Sequence, residues 1–166
     1  QIRVKMSKIR QKIASNLVQS RQNSAHLTTF NEISMERLLD IRKKHKEQFQ
    51  EKHGLKLGFM SFFIKACCSA LSKYPVANSF IDGDEIVYNN FHNIGIAVST
   101  ERGLVVPVIK NADSLAIDQL EIEVASLAEK ARNKKITLDE MTGGTFSITN
   151  GGVFGSLIST PILNEP

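Results

Sequence analysis

Apolar residues along the chain follow two periods, and the switches between them mark its elements. Met6, Ile9, Ile13 and Leu17 fall at helical spacing over residues 7–22, with Ser7 in the position of an N-cap. "HLTTFNEIS", His26 to Ser34, is rich in β-branched and aromatic residues and predicts a strand. Residues 35–52 predict a charged helix ending at His53-Gly54. Residues 59–73 predict a far more apolar helix, closed by Tyr74-Pro75, with a composition that predicts burial on most sides. Asp82-Gly83, flanked by apolar residues, predicts a hairpin. "NIGIAVST", Asn93 to Thr100, then alternates Ile94, Ile96 and Val98 with Gly95, Ala97 and Ser99, so one strand face is bulky and the other small. "RGLVVPVIKN", from Arg102, predicts a further extended stretch in which Pro107 marks an edge, a bulge or a strand end. Ile117, Leu120, Val124, Leu127 and Ala131 predict an amphipathic helix running to about Lys134. Thr137-Leu138-Asp139-Glu140 matches a capping box for a short helical turn. Last comes Thr145 to Thr149, a strand with Phe146 and Ile148 on one face and Thr145, Ser147 and Thr149 on the other.

Helices mixed with hairpin and edge signals argue against a purely parallel sheet. The expected fold is α/β, a two-layer domain with a mixed sheet and helices. A length of 166 residues favours one domain with a real core. The net charge of +4 is spread along helical stretches without a dense basic block. That disfavours nucleic acid as a partner and leaves room for a phosphate-bearing small molecule. The two cysteines, Cys67 and Cys68, are adjacent within the apolar helix and read as core thiols of a reducing compartment. Neither C-x-x-C nor H-E-x-x-H occurs, so no metal is expected. No signal peptide or long apolar span is evident, so a soluble chain without a membrane partner is expected.

The candidate chemistry concentrates in one stretch, "FSITNGGVFGSLISTP". Its strand ends on a hydroxyl, Thr149, followed at once by Asn150-Gly151-Gly152, where positive φ and close backbone approach are expected. A second Gly-Ser step follows at Gly155-Ser156. One reading is a glycine-rich turn between packed strands. The other is an acyl-transfer site, in which a donor must stand about 3 Å from a developing oxyanion. A threonine at a strand end suits that role because its β-branch restricts χ1. The alternatives are thinner. There is no G-x-S-x-G elbow, and "GGVFGS" lacks the Lys-Ser/Thr of a phosphate loop. His45 and His53 fall on a charged helix and its end, while His26 and His92 open expected strands with no nucleophile beside them.

"HLTTFNEISM", "FFIKACCSALSKYP", "NIGIAVSTERGLVVPVIKNAD" and "LDEMTGGTFSITNGGVFGSLISTPI" occur in this order. Together they resemble the catalytic core of the dihydrolipoamide acyltransferases of the 2-oxo acid dehydrogenase complexes. The resemblance runs from about Val4 to the last residue. "FNEISM" and "ITNGGVFGSLISTP" look like the succinyl-transferring members that serve the 2-oxoglutarate complex. The resemblance implies a fold similar to chloramphenicol acetyltransferase, homotrimers building a larger core, and active sites in channels between subunits. It implies coenzyme A as substrate and a lipoyl group carried on a separate lipoyl domain. It implies the decarboxylating and dihydrolipoamide dehydrogenase components as partners, in a bacterial cytoplasm or, as the alternative, a mitochondrial matrix.

Residue by residue, Thr149 matches the family's oxyanion-stabilising hydroxyl. Ser156 matches a residue that contacts the succinyl carboxylate. Lys8 falls where a basic side chain meets a coenzyme A phosphate, although a solvated surface lysine is the plain alternative. The family's general base is a histidine in an H-x-x-x-D-G motif. Here no histidine has an Asp four residues on, which puts the base in doubt and gives the expectation of a C-terminally truncated catalytic domain. Acetyl or branched-chain acyl transfer, and a non-catalytic scaffold sharing the core, stay open beside the succinyl reading.

Overall fold

A computed structural model describes residues 1–101 and 103–163. Arg102, the first residue of one expected extended stretch, and the last three residues of "STPILNEP" lie outside the described residues. The chain divides into two compact units. One is Gln1–Ile33 with Gly151–Pro166, and the other is Ser34–Asn150.

The smaller unit is built on helix α1, Lys8–Asn23. Ser7 caps it as expected, its Oγ accepting from the Arg10 N–H at 3.3 Å. Ser20 is buried and donates to the Leu163 carbonyl at 2.6 Å, which ties the helix to the far end of the chain. His26 to Ser34, expected as a strand, is not one. Strand residues need a ladder partner, and no described strand pairs with this segment. Leu27, Phe30 and Ile33 are 91%, 60% and 66% exposed, so its apolar side chains have no described cover either.

Among its described residues the larger unit holds α2 (Glu36–His53), α3 (Met60–Lys73), α4 (Ile117–Arg132) and seven short strands. These helices stand within a residue or two of their expected bounds. Gly54 closes α2 in the left-handed conformation. The α3 helix buries Ser61, Ile64, Cys68 and Leu71, while Ala66, Ser69, Ala70 and Ser72 are exposed. Its burial is therefore one-sided over the second half, not on most sides. Small residues let that half look apolar in composition without supplying a second packing face. The hairpin is present: β1 (Ser79–Asp82) pairs antiparallel with β2 (Glu85–Tyr88), Asp82 opposite Glu85. Its two-residue loop is Gly83-Asp84, with φ of 61° at Gly83, a conformation open to glycine.

The expected strand Asn93 to Thr100 is interrupted. It gives β3 (Ile94–Ile96) and β4 (Val98–Thr100), and the two join different sheets. The next stretch divides likewise into β5 (Gly103–Val105) and β6 (Val108–Ile109), with a fully buried Pro107 at the break. Proline has no N–H to extend a ladder, yet its carbonyl accepts from the Ile96 N–H at 2.8 Å. The sheet that matters for chemistry is mixed and has the order β6-β3-β7, with β7 being Phe146–Ile148. β3 is central. It runs antiparallel to β6 and parallel to β7, with Ile94 opposite Phe146 and Ile96 opposite Ile148. Ile94, Ile96 and Ile109 pack with Ile64, Cys68 and Leu71 of α3 and with Leu120 and Leu127 of α4. The helices thus cover one side of the sheet, which is the expected two-layer α/β arrangement, with the sheet in three pieces in place of one.

Candidate active site

Thr149 is placed by β7 and its pairing with β3. Gly95, in the centre of β3, is where β7 comes closest. A Cβ there would stand 2.8 Å from Val106 Cγ1 and 2.9 Å from Ser147 Oγ, so only glycine lets the hydroxyl face of β7 lie against β3. At the far end, the Ala97 N–H donates to the Ile148 carbonyl at 3.0 Å. That bond holds the peptide leading directly into Thr149. Thr149 is exposed, and its hydroxyl has no hydrogen-bond partner among the described residues. The three hydroxyls of the strand therefore differ. Thr145 Oγ1 accepts from the Asn93 N–H at 3.2 Å, and Ser147 Oγ lies over Gly95.

Ser156 and Lys8 belong to the smaller unit. Residues Gly151–Phe154 form a 3₁₀ turn, and the positive φ expected at Asn150-Gly151-Gly152 falls instead at Gly155, with φ of 78°. A helical turn uses negative φ throughout, so the left-handed residue is the one that ends it. The close approach expected of those glycines is real: a Cβ on Gly151 would lie 3.2 Å from Ser159 Oγ. The Ser156 hydroxyl shares a short hydrogen bond with Ser159 and donates to the Ile158 carbonyl at 3.2 Å. Lys8 is the first residue of α1 and is exposed. No acidic residue stands in that first turn, which leaves the positive end of the helix dipole uncompensated.

The histidines do not gather around a nucleophile. His26 Nε2 lies 3.3 Å from the Leu163 N–H and Nδ1 lies 3.2 Å from both Ser24 Oγ and the Ser24 carbonyl. A neutral ring protonated on Nδ1 satisfies that arrangement. His92 Nδ1 is buried, 3.5 Å from Asp113 Oδ1 and without hydrogen-bond geometry to it. Burial pushes both thiols up. For Cys68, desolvation followed by the nearby Asp113 charge raises it to about 11, so neither cysteine presents a ready thiolate. Among the described residues no group of three His, Cys, Asp or Glu is placed to hold a metal ion.

Sequence reasoning missed Asn93. It reads as one polar residue in "NNFHN", with no signal that separates it from its neighbours. In the fold it is buried. Its Nδ2 donates to the Gly143 carbonyl at 2.8 Å, and its Oδ1 accepts from the Asn111 N–H at 2.9 Å. Its own carbonyl accepts from the N–H groups of Thr145, at 2.8 Å, and Phe146, at 3.3 Å. Asn111 is held left-handed with φ of 50°, a conformation that asparagine tolerates.

Residues 1–166 match the family described as 2-oxoacid dehydrogenases acyltransferase (catalytic domain). The chain belongs to this acyltransferase family. Among relatives, it is 54% identical over 164 residues to the dihydrolipoyllysine-residue succinyltransferase component of the 2-oxoglutarate dehydrogenase complex of Cupriavidus necator, covering 99% of this chain and 39% of that one. The corresponding Bacillus subtilis component is 56% identical over 162 residues, covering 98% of this chain and 39% of the relative. This acyltransferase chain thus spans about two fifths of the relatives it matches. Among solved structures, the dihydrolipoamide acetyltransferase of Azotobacter vinelandii superposes with a TM-score of 0.94 at 38% identity, covering all of this chain and 69% of that one. The cubic core of the pyruvate dehydrogenase multienzyme complex gives the same TM-score, identity and coverage. The α/β fold is therefore that of the acyltransferase cores.

Proposed function

We propose that this chain is the catalytic core of a succinyltransferase, moving a succinyl group between dihydrolipoyl-lysine and coenzyme A in a 2-oxoglutarate dehydrogenase complex. The observation that carries the reading is the unpartnered Thr149 hydroxyl beside a strand held at both ends, by Asn93 at Thr145 and by Ala97 at Ile148. The names of the relatives support the succinyl group over acetyl or branched-chain acyl groups.

The coenzyme A thiol loses its proton to a base, and the thiolate sulfur attacks the thioester carbonyl carbon of succinyl-dihydrolipoamide. The carbonyl π pair moves onto oxygen, and Thr149 Oγ1–H donates to that oxyanion. Collapse reforms the carbonyl, breaks the bond to the lipoyl sulfur, and the departing thiolate takes the proton back from the base. Ser156 exchanges its bonds to Ser159 and Ile158 for the distal succinyl carboxylate. Lys8, in the first turn of α1, meets a coenzyme A phosphate at the positive end of the helix dipole. None of the four histidines precedes an Asp by four positions, so none is assigned as the base. The assembly that suits this chemistry is a trimer within a larger core, served by a lipoyl domain and by the decarboxylating and dihydrolipoamide dehydrogenase components, in a bacterial cytoplasm.

The alternative is a non-catalytic core module that shares this fold. Kinetics on the whole protein separate the two. In the succinyltransferase, Thr149→Val keeps shape and β-branching and removes the donor. It lowers kcat by roughly 10²–10³, about 2.7–4 kcal/mol of barrier. KM changes little, because the bond strengthens only as charge develops. Thr149→Ser retains much of the rate. A fully active Thr149→Val enzyme refutes the assignment of Thr149, and a well-assembled whole protein with no transfer at all supports the scaffold reading.

A further inference from the structure

Thr149 sits at the end of a strand only three residues long, Phe146–Ile148. Such a strand holds its last residue no better than its ends are held. The far end is fixed by the Ala97 bond to the Ile148 carbonyl. The near end converges on Asn93. This residue binds the entering chain three ways: through Nδ2 to the Gly143 carbonyl at 2.8 Å, through its carbonyl to the Thr145 N–H at 2.8 Å, and through its N–H to Thr145 Oγ1 at 3.2 Å. Through Oδ1 it also holds the Asn111 N–H at 2.9 Å, in the turn that follows β6. Both strands that flank β3 are thus tied to the residue immediately preceding it. Because Ile94 lies opposite Phe146, Asn93 sets the register from which Thr149 is counted.

From this geometry we infer that Asn93 is a positioning residue for acyl transfer, fixing β7 against β3 so that the Thr149 hydroxyl stands where the oxyanion forms. The inference rests on the acyltransferase reading of Thr149. Asn93 touches no reacting atom. Its amide has one donor and one acceptor in use, on opposite flanks of β3, and no other uncharged side chain of that size carries the two on separate atoms. An aspartate keeps the acceptor for Asn111 and turns a second oxygen toward the Gly143 carbonyl, where the donor is lost. An alanine loses both bonds.

The test is a double-mutant cycle in the whole protein, read by steady-state kinetics with thermal melts alongside. The variants are Asn93→Ala, Asn93→Asp, Thr149→Val and each Asn93 variant combined with Thr149→Val. Misplacement of a reacting group by about 1 Å costs up to roughly 10²-fold, so each Asn93 variant is expected to lose about 10-fold to 10²-fold in kcat, with KM for coenzyme A unchanged. In the Thr149→Val background the same Asn93 change should cost little further, because the group it positions is gone. A purely structural asparagine would lower the melting temperature and multiply its loss with that of Thr149→Val. Multiplied losses, or kcat at the wild-type level in Asn93→Asp, overturn the inference while leaving Thr149 in place. A fully active Thr149→Val enzyme overturns the reading of Thr149 itself, and this inference with it. Should Asn93→Ala fail to fold, the near-isosteric Asn93→Asp carries the cycle alone.

Discussion

Glu121 is a carboxylate buried to 6% exposure on the core-facing side of α4. It lies against the first turn of α3. Its Oε2 accepts from the Gly58 N–H at 3.1 Å, and its Oε1 accepts from the Ser61 N–H at 3.3 Å and from Ser61 Oγ at 2.5 Å. The α3 helix has no side-chain cap of its own, since Phe59 occupies that position. Glu121 therefore supplies from another helix what a Ser or Asp at the N-cap would supply locally, acceptor oxygens at the positive end of the dipole. Gly58 makes room for it: a Cβ there would stand 3.0 Å from Oε2. Glu121→Ala removes a capping acceptor, worth about 0.5–2 kcal/mol, and strands buried donors at about 1–3 kcal/mol. Because these contributions overlap, the expected loss is about 2–4 kcal/mol. Glu121→Gln keeps one acceptor oxygen and should lose about half as much. The exposed Glu123→Ala, on the same helix, should stay within about 0.5 kcal/mol of the parent. Urea unfolding followed by circular dichroism measures all three. A Glu121→Ala loss below about 0.5 kcal/mol, as small as that of a plain surface substitution, would show that water replaces the carboxylate and that the cap has no net value.

Gly95→Ala should destabilise by about 1–3 kcal/mol through overpacking, since its Cβ would meet Val106 Cγ1 at 2.8 Å and Ser147 Oγ at 2.9 Å. Adding Val106→Ala should recover part of that loss in the same unfolding assay, and failure to recover any would place the strain elsewhere. Glu140 is pulled down to about 2 by its hydrogen bond to Lys130, then by the Thr137 N–H. A depressed carboxylate contributes stability that is fully present above its ordinary value of 4.5 and lost as pH falls through about 2. The stability gap between the parent and Glu140→Gln should therefore close between those two values in acid unfolding curves, and a gap independent of pH there would remove the ion pair from the account.

What could be read ahead of the structure divides along a physical line. The helices were legible because a period of 3.6 over fourteen to eighteen residues repeats its message several times, and because Ser7, Gly54 and the Thr137–Glu140 pair announce ends through local bonds alone. The Thr137 box formed as expected, Glu140 N–H to Thr137 Oγ1 at 3.3 Å and Thr137 N–H to Glu140 Oε2 at 2.9 Å. The strands failed where their existence depended on a partner distant in sequence. His26 to Ser34 has strand composition and no ladder, and Asn93 to Thr100 has one unbroken alternation shared between two sheets. Alternation states which side chains share a face and says nothing of which neighbour each peptide meets. The site shows the same division. Thr149 was visible because a hydroxyl before Asn-Gly-Gly is a local oddity. Asn93 and Glu121 act across 50 and 60 residues of chain respectively, at Gly143 and Ser61, and no local pattern marks them. Both are polar side chains buried with their bonds satisfied, and burial of that kind has a cost that only the folded partners offset. A hydroxyl is useful at an oxyanion only if it is fixed there in advance, so the residues that fix it belong to the chemistry as much as the hydroxyl does. On the proposed role of Thr149, that fixing falls to Asn93 and its bonds to backbone groups distant in sequence.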